Sequence, residues 1–271
     1  MESESSQSLF SPGATKAQGK VFVALLVIAL AAALAAVPSE IDSLSAIEGD
    51  VTWWAPFIAF LVWAVPSASA VAIGVILGAK VGLGAPLVRG WIVGEPDMSR
   101  RLRSCLLPSL LAGIVVSVVL QILGTWAEKR FWPALPENAL KAVETVTHIA
   151  PWKMILASFA GGVCEELVFR FGLMTLIVWL GIKLVRCQRP GRSLLWTANL
   201  LAAVPFALVH LVNAASLGIP ITFGLIISIL VLNGVAGLVF GWLYARHGIE
   251  AAMLAHFVLD FAQFVIRPMV S

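Results

Sequence analysis

The longest apolar run of the chain reads WKMILASFAGGVCEELVFRFGLMTLIVWLGIKLV, from Trp152 to Val185. A helix needs about 20 mostly apolar residues to cross the hydrocarbon core of a bilayer, because its backbone polar groups must pair within the segment. This run is longer than that, yet it contains Glu165, Glu166 and Arg170. It therefore predicts a membrane-spanning helix with ionisable groups inside the membrane.

Composition extends this prediction to the whole chain. Of the 271 residues, 60% are hydrophobic and 12% are charged, whereas about a quarter are charged in soluble domains. Seven apolar stretches are long enough to span a membrane, at residues 21–37, 56–79, 105–126, 152–185, 194–215, 221–245 and 249–266. We therefore expect an all-α, polytopic transmembrane bundle of seven helices, or of eight if the fourth stretch is two segments that meet near Gly172.

Lysine and arginine in the short loops predict the orientation, because cytoplasmic loops carry an excess of both. They cluster after the second, fourth and sixth stretches, whereas the loop after the first stretch is acidic. Seven crossings with a cytoplasmic N-terminus fit this pattern. We expect a multi-pass integral membrane protein of the bacterial inner membrane, with the lipid bilayer around it and a short interfacial helix in the external loop 127–151. A net charge of +3, spread over short loops, predicts no nucleic-acid partner.

The polar, serine-rich residues 1–20 are predicted to be a disordered tail, and residues 21–271 to form a single membrane domain. Within the fourth stretch, each charge at the centre of a helix costs about 2.5–3.5 kcal/mol on insertion scales. Arg170 follows Glu166 by four positions and is expected to pair with it. This pairing leaves Glu165 as the freer carboxylate.

Further polar residues lie in two other apolar stretches. His210 is in the fifth, and His256 and Asp260 lie four apart on one helical face of the seventh, where the aspartate could orient the imidazole. Intramembrane ionisable groups normally face one shared polar cavity, so we expect these residues to converge. A glutamate with two histidines can activate water and stabilise an oxyanion. The alternative is a buried ionic clasp that only holds helices together.

Three motifs follow one another along these stretches, and they are Glu165-Glu166-x-x-x-Arg170, Phe206-x-x-x-His210 and His256-x-x-x-Asp260. Together they resemble the CAAX protease and bacteriocin-processing (CPBP) family of intramembrane glutamic-type endopeptidases. The stretch GLVFGWLYAR at residues 237–246 also looks like that family. The resemblance covers roughly residues 150–264, which would be the catalytic core, and leaves the helices of residues 21–149 without an assigned role.

The resemblance implies that Glu165 is the general base, which works with His210 to activate a water molecule for attack on a peptide carbonyl. His256 and Asp260 would stabilise the oxyanion, and Glu166 belongs to the same catalytic set. The last motif of the family often ends in asparagine. Because an ionised aspartate cannot donate a hydrogen bond to an oxyanion, Asp260 is expected to orient His256 or to be protonated.

No cofactor is expected, and Arg170 and Phe206 are expected to support the site structurally. The alternative is a Zn²⁺ ion held by Glu165, His210 and His256, which have the ligand types of a catalytic zinc site. At a rise of 1.5 Å per residue, His210 is expected to lie roughly twice as far from the cytoplasmic boundary of the membrane as Glu165 and His256. The catalytic interpretation requires that the folded chain still bring His210 close to them, for example by a kink at the preceding proline.

These observations predict an intramembrane endopeptidase whose substrate is a membrane protein or a lipidated peptide. Two alternatives use the same polar cluster. One is a proton-coupled transporter with a proton relay, although the chain shows no internal repeat of the kind that many transporters have. The other is an inactive scaffold that binds membrane partners.

Overall fold

Helices account for the regular structure of the described residues, 12–131 and 134–267 of a computed structural model, and no strand occurs among them. In chain order they are α1 (Pro12–Glu48), α2 (Ala55–Val81), α3 (Pro86–Val93), α4 (Met98–Phe131), α5 (Glu137–Thr147), α6 (Pro151–Val185), α7 (Arg192–Ser216), α8 (Phe223–His247) and α9 (Ile249–Ile266). All except α3 and α5 are long and apolar enough to cross a membrane. The predicted all-α bundle of seven spans is confirmed, and residues 1–11 of the predicted tail lie outside the described residues.

The fourth apolar stretch forms one continuous helix, α6, that passes through Gly172 without a break. Its two ends are α-helical, but its middle widens into π-helical turns at Gly161–Glu165 and Leu167–Met174. Turns of this kind are rare and often lie at functional sites, because the extra residue changes the direction of the neighbouring side chains. The residues predicted to be catalytic on this helix lie within or beside these turns.

α1 continues to Glu48, well past the end of its apolar run. Glu40 and Asp42, which the charge pattern places in an external loop, therefore lie in the helix. Trp63 Nε1 on α2 donates a hydrogen bond to Glu40 at 3.0 Å, and Lys153 Nζ on α6 donates one to Asp42 at 2.7 Å. A hydropathy pattern does not predict this extension, because it contains no information about the hydrogen-bond partners that other helices provide for the acidic side chains.

Two short helices lie outside the apolar stretches. α5 agrees with the short helix expected in loop 127–151. α3 was not predicted, and contacts from α9 hold it in place: Val88 N donates to Glu250 Oε1 at 2.9 Å, and Ile249 N donates to the carbonyl oxygen of Gly84 at 3.0 Å. The carboxylate therefore satisfies a backbone donor in the first turn of α3.

Small residues let the helices approach closely, as is common in membrane bundles. A Cβ atom on Gly162 of α6 would lie 2.9 Å from the backbone nitrogen of Phe257 and 3.0 Å from the carbonyl oxygen of Met253, both on α9. The backbones of α6 and α9 are therefore in contact at this level. This contact brings the acidic residues of α6 against the histidine of α9.

The outer surface of the bundle is apolar. Val27, Ile122 and Val212 are 60%, 64% and 66% exposed, although exposed apolar area costs about 25 cal/mol per Å² in water. In contrast, Glu166 and Arg170 are buried in the interior. An apolar exterior around buried charges is the arrangement of a multi-pass integral membrane protein.

Candidate active site

The two adjacent glutamates of α6 have different surroundings. Glu166 is 0% exposed and its Oε1 lies 3.1 Å from Nη1 of Arg170, which is 1% exposed. The Oε2 atom of each glutamate has no hydrogen-bond partner among the described residues, but the side chain of Glu165 is 16% exposed and makes no ion pair with Arg170. The four-residue spacing thus pairs Arg170 with Glu166, and Glu165 is the freer carboxylate.

His256 of α9 is oriented mainly by α6. Its Nδ1 lies 2.8 Å from Glu166 Oε1, and since an ionised carboxylate only accepts hydrogen bonds, this nitrogen is the donor. Its Nε2 faces Asp260 Oδ2 at 3.5 Å and Glu165 Oε2 at 4.0 Å. The contact with Asp260 that the spacing predicts is present, but the shorter and orienting contact comes from Glu166.

Phe206 of α7 joins the parts of the cluster. The Arg170 guanidinium carbon lies 4.2 Å from the centroid of its ring, which is a cation–π contact. The imidazoles of His210 and His256 pack against the same ring at centroid distances of 5.0 Å and 5.8 Å, which together place the two imidazoles within about 11 Å of each other. The shared ring of Phe206 thus links His210 to the cluster, although no carboxylate oxygen of the described residues lies within 4.0 Å of a His210 ring nitrogen.

The ring of His210 is held by its own helix. Its Nδ1 lies 2.9 Å from the carbonyl oxygen of Phe206, one turn earlier. A carbonyl oxygen only accepts, so Nδ1 carries the proton, and in the neutral imidazole Nε2 keeps a free lone pair. His210 is partly exposed, so this lone pair belongs to a side chain that water or substrate can reach.

Two residues of α8 contribute to the site without having been assigned a role from the sequence. Phe240 is fully buried and stacks on His256 at a centroid distance of 4.7 Å and an interplanar angle of 20°. A Cβ atom on Gly237 would lie 3.0 Å from Arg170 Nη2, so this glycine leaves room for the guanidinium. Their spacing of three positions, which places both on one helical face, is the signal that could have identified them.

Glu165 and Glu166 of α6 therefore meet His256 and Asp260 of α9 in one polar cluster, and His210 of α7 is linked to it through the ring of Phe206. No group of three His, Cys, Asp or Glu side chains among the described residues is arranged to hold a metal ion. The set named for the zinc alternative does not form such a group in this conformation. Operation without a cofactor stays a prediction.

Comparison with curated proteins gives no match, and comparison with solved structures gives none either. Residues 147–262 match the protein family described as "Type II CAAX prenyl endopeptidase Rce1-like". The matched segment contains all three motifs and runs from the end of α5 into α9. The resemblance recognised in those motifs is thereby confirmed at the level of the family, which is one of peptidases. Over residues 147–262, the chain is therefore similar to the Rce1-like type II CAAX prenyl endopeptidases.

Proposed function

We propose that this chain is an intramembrane endopeptidase that hydrolyses a peptide bond in a membrane protein or a lipidated peptide, with Glu165 as the general base. The family match supports peptide hydrolysis in general. One observation carries the assignment to Glu165: it is the partly exposed carboxylate of the two adjacent glutamates, and its Oε2, which has no hydrogen-bond partner among the described residues, lies 4.0 Å from Nε2 of His256.

That separation suits a water molecule as the nucleophile. Two polar atoms 4.0 Å apart can both contact one water oxygen at ordinary hydrogen-bond lengths of about 2.8–3.0 Å. The Glu165 carboxylate takes a proton from the water as the water oxygen bonds to the peptide carbonyl carbon. The carbonyl oxygen becomes an oxyanion, and Glu165 then transfers the proton to the amide nitrogen as the C–N bond breaks.

His256 is the proposed donor to the oxyanion. Its Nδ1 already donates to Glu166, so a donor at Nε2 requires the doubly protonated imidazolium. The carboxylates of Glu165, Glu166 and Asp260 surround this ring and would stabilise its positive charge. In this mechanism Glu166 acts through His256, as a positioning residue.

His210 is the proposed partner of Glu165 in holding the water. Because its Nδ1 donates to the carbonyl of Phe206, its Nε2 is free to accept a hydrogen bond from the attacking water. A second acceptor fixes the direction of the water lone pair, and correct alignment of reacting groups accounts for much of the rate of such reactions.

The test uses the purified full chain and a quenched fluorescent peptide that carries a lipidated cysteine near its C-terminus. Glu165→Gln, His210→Ala and His256→Ala should each lower kcat/KM by about 10²–10⁴-fold, whereas Glu144→Gln, on the exposed surface of α5, should leave it unchanged. Thermal unfolding checks that each variant is folded. Cleavage at the original rate by all three variants would refute the proposal, and loss of cleavage with a chelator, restored by Zn²⁺, would favour the zinc alternative.

A further inference from the structure

A cavity separate from the polar cluster lies at the end of the bundle that the charge pattern predicts to be cytoplasmic. It has a volume of about 530 Å³, opens at the surface, and is lined by the ends of α1, α2, α4 and α8, by α3 and by the connection from α2 to α3. None of the five candidate catalytic residues is among its lining residues. Its size falls within the range of about 300–1,000 Å³ that is usual for ligand sites.

The rim of this cavity is basic. Arg89, Arg101 and Arg246 are exposed lining residues, and the described residues that line the cavity include no aspartate or glutamate. Arg101 is paired with Glu95 at 2.7 Å. Arg89 and Arg246 make no ion pair with any described residue. The rim therefore presents positive charge that the described part of the chain does not neutralise, which favours an anionic ligand.

The inner part of the cavity is apolar. Its lining includes Val75 and Gly74 of α2 and the buried ring of Phe171 of α6. Gly74 lies seven residues before Val81, the last residue of α2, so the cavity reaches roughly 10 Å into the bundle at 1.5 Å per residue. A basic rim above an apolar interior fits a molecule with an anionic head and a hydrocarbon chain.

The cavity is preformed. The hydrogen bonds from Ile249 N to Gly84 and from Val88 N to Glu250 tie α3 and the connection before it to the start of α9. The turn between α8 and α9 passes through Gly248, whose φ of 97° suits glycine. This turn holds Arg246 beside the cavity, so a ligand would not have to order the loops that bind it.

We propose that this cavity binds the phosphate of an anionic phospholipid, with part of one acyl chain in the apolar interior. Arginine binds phosphate through parallel charge-assisted hydrogen bonds. Phospholipids with net negative charge are concentrated on the cytoplasmic side, where the rim is predicted to lie. Free phosphate shares the head-group chemistry but would leave the apolar interior without a ligand.

Native mass spectrometry of the purified full chain tests this site with phosphatidylglycerol, phosphatidylcholine and inorganic phosphate as separate probes. One phosphatidylglycerol should stay bound, and phosphatidylcholine should not. The double variant Arg89→Gln/Arg246→Gln should weaken phosphatidylglycerol binding at least about 10-fold. Loss of a hydrogen bond to a charged group lowers the binding affinity by this factor or more. The control Lys183→Gln/Arg189→Gln removes the same charge from exposed residues outside the cavity and should bind normally.

Three outcomes would overturn the proposal. Equal weakening in the control variant would mean a general attraction of basic loops to anionic lipid. Equal binding of phosphatidylcholine would mean that the arginines do not select the head group. Binding of inorganic phosphate without binding of the lipid would assign the cavity to a different ligand. The site does not depend on catalysis, so Glu165→Gln should bind the lipid normally whether or not the peptidase proposal holds.

Discussion

Replacement of Glu166 by glutamine is expected to destabilise the bundle strongly. One oxygen of Glu166 contacts both Arg170 at 3.1 Å and His256 at 2.8 Å, and the side chains of these partners are 1% and 5% exposed. Removing one member of a buried ion pair leaves an uncompensated charge, at a cost of about 3–5 kcal/mol. The contact with His256 does not add its full value, because the two contacts share an atom and are coupled. We therefore expect a loss of about 3–5 kcal/mol in the free energy of unfolding.

Glu165→Gln, one position earlier, should have the opposite profile. The pair between Glu166 and Arg170 stays intact, and the Oε2 atom of Glu165 makes no hydrogen bond with described residues. The expected change in the free energy of unfolding is about 1 kcal/mol or less, while cleavage falls by the 10²–10⁴-fold of a lost general base.

Both quantities can be measured on one preparation, with equilibrium unfolding in mixed micelles followed by circular dichroism and peptide cleavage followed by fluorescence. The double variant Glu166→Leu/Arg170→Met should recover at least half of the lost stability, because it removes both charges together. Equal destabilisation by the two glutamine variants would refute this division of roles. A fully stable Glu166→Gln protein would do so too.

Three further predictions concern the surroundings of the cluster. Asp260→Asn should keep cleavage within about 10-fold of the original rate, because an amide can donate a hydrogen bond to an oxyanion. Asp260→Leu, which cannot donate one, should lower the cleavage rate by more than about 10-fold. Phe240→Leu should lower kcat more than it raises KM, since the stack on His256 holds the imidazole in place. Gly162→Ala should lower the free energy of unfolding by about 1–3 kcal/mol, because its Cβ would lie 2.9 Å from the α9 backbone. The control Gly124→Ala meets nothing within 4 Å and should be neutral or slightly stabilising.

Each of these predictions has a contrary result. Inactivity of Asp260→Asn would mean that the negative charge itself is required, and a change confined to KM in Phe240→Leu would mean that the ring contacts substrate. Equal stability of the two alanine variants would mean that α6 and α9 are not in close contact at Gly162.

The helical spans could be predicted because the thickness of the hydrocarbon core sets the length of an apolar run. The predicted bounds of α9 agree with the structure, and α6 is a single helix despite its length. The extension of α1 and the presence of α3 could not be predicted. Both depend on partners from distant helices, such as Glu250 for α3.

The sequence by itself determined the membrane bundle, the ionisable residues inside it and the pairing of Arg170 with Glu166, since contacts four residues apart follow from the helical repeat. Only the tertiary structure decided that Glu166 holds His256, 90 residues away, that Phe240 stacks on the same imidazole, and that a basic cavity forms beside Arg246. The physical reason is that contacts between helices depend on how closely and at what rotation their backbones meet. Close approaches such as that at Gly162 set this geometry, and no periodicity within one helix records it.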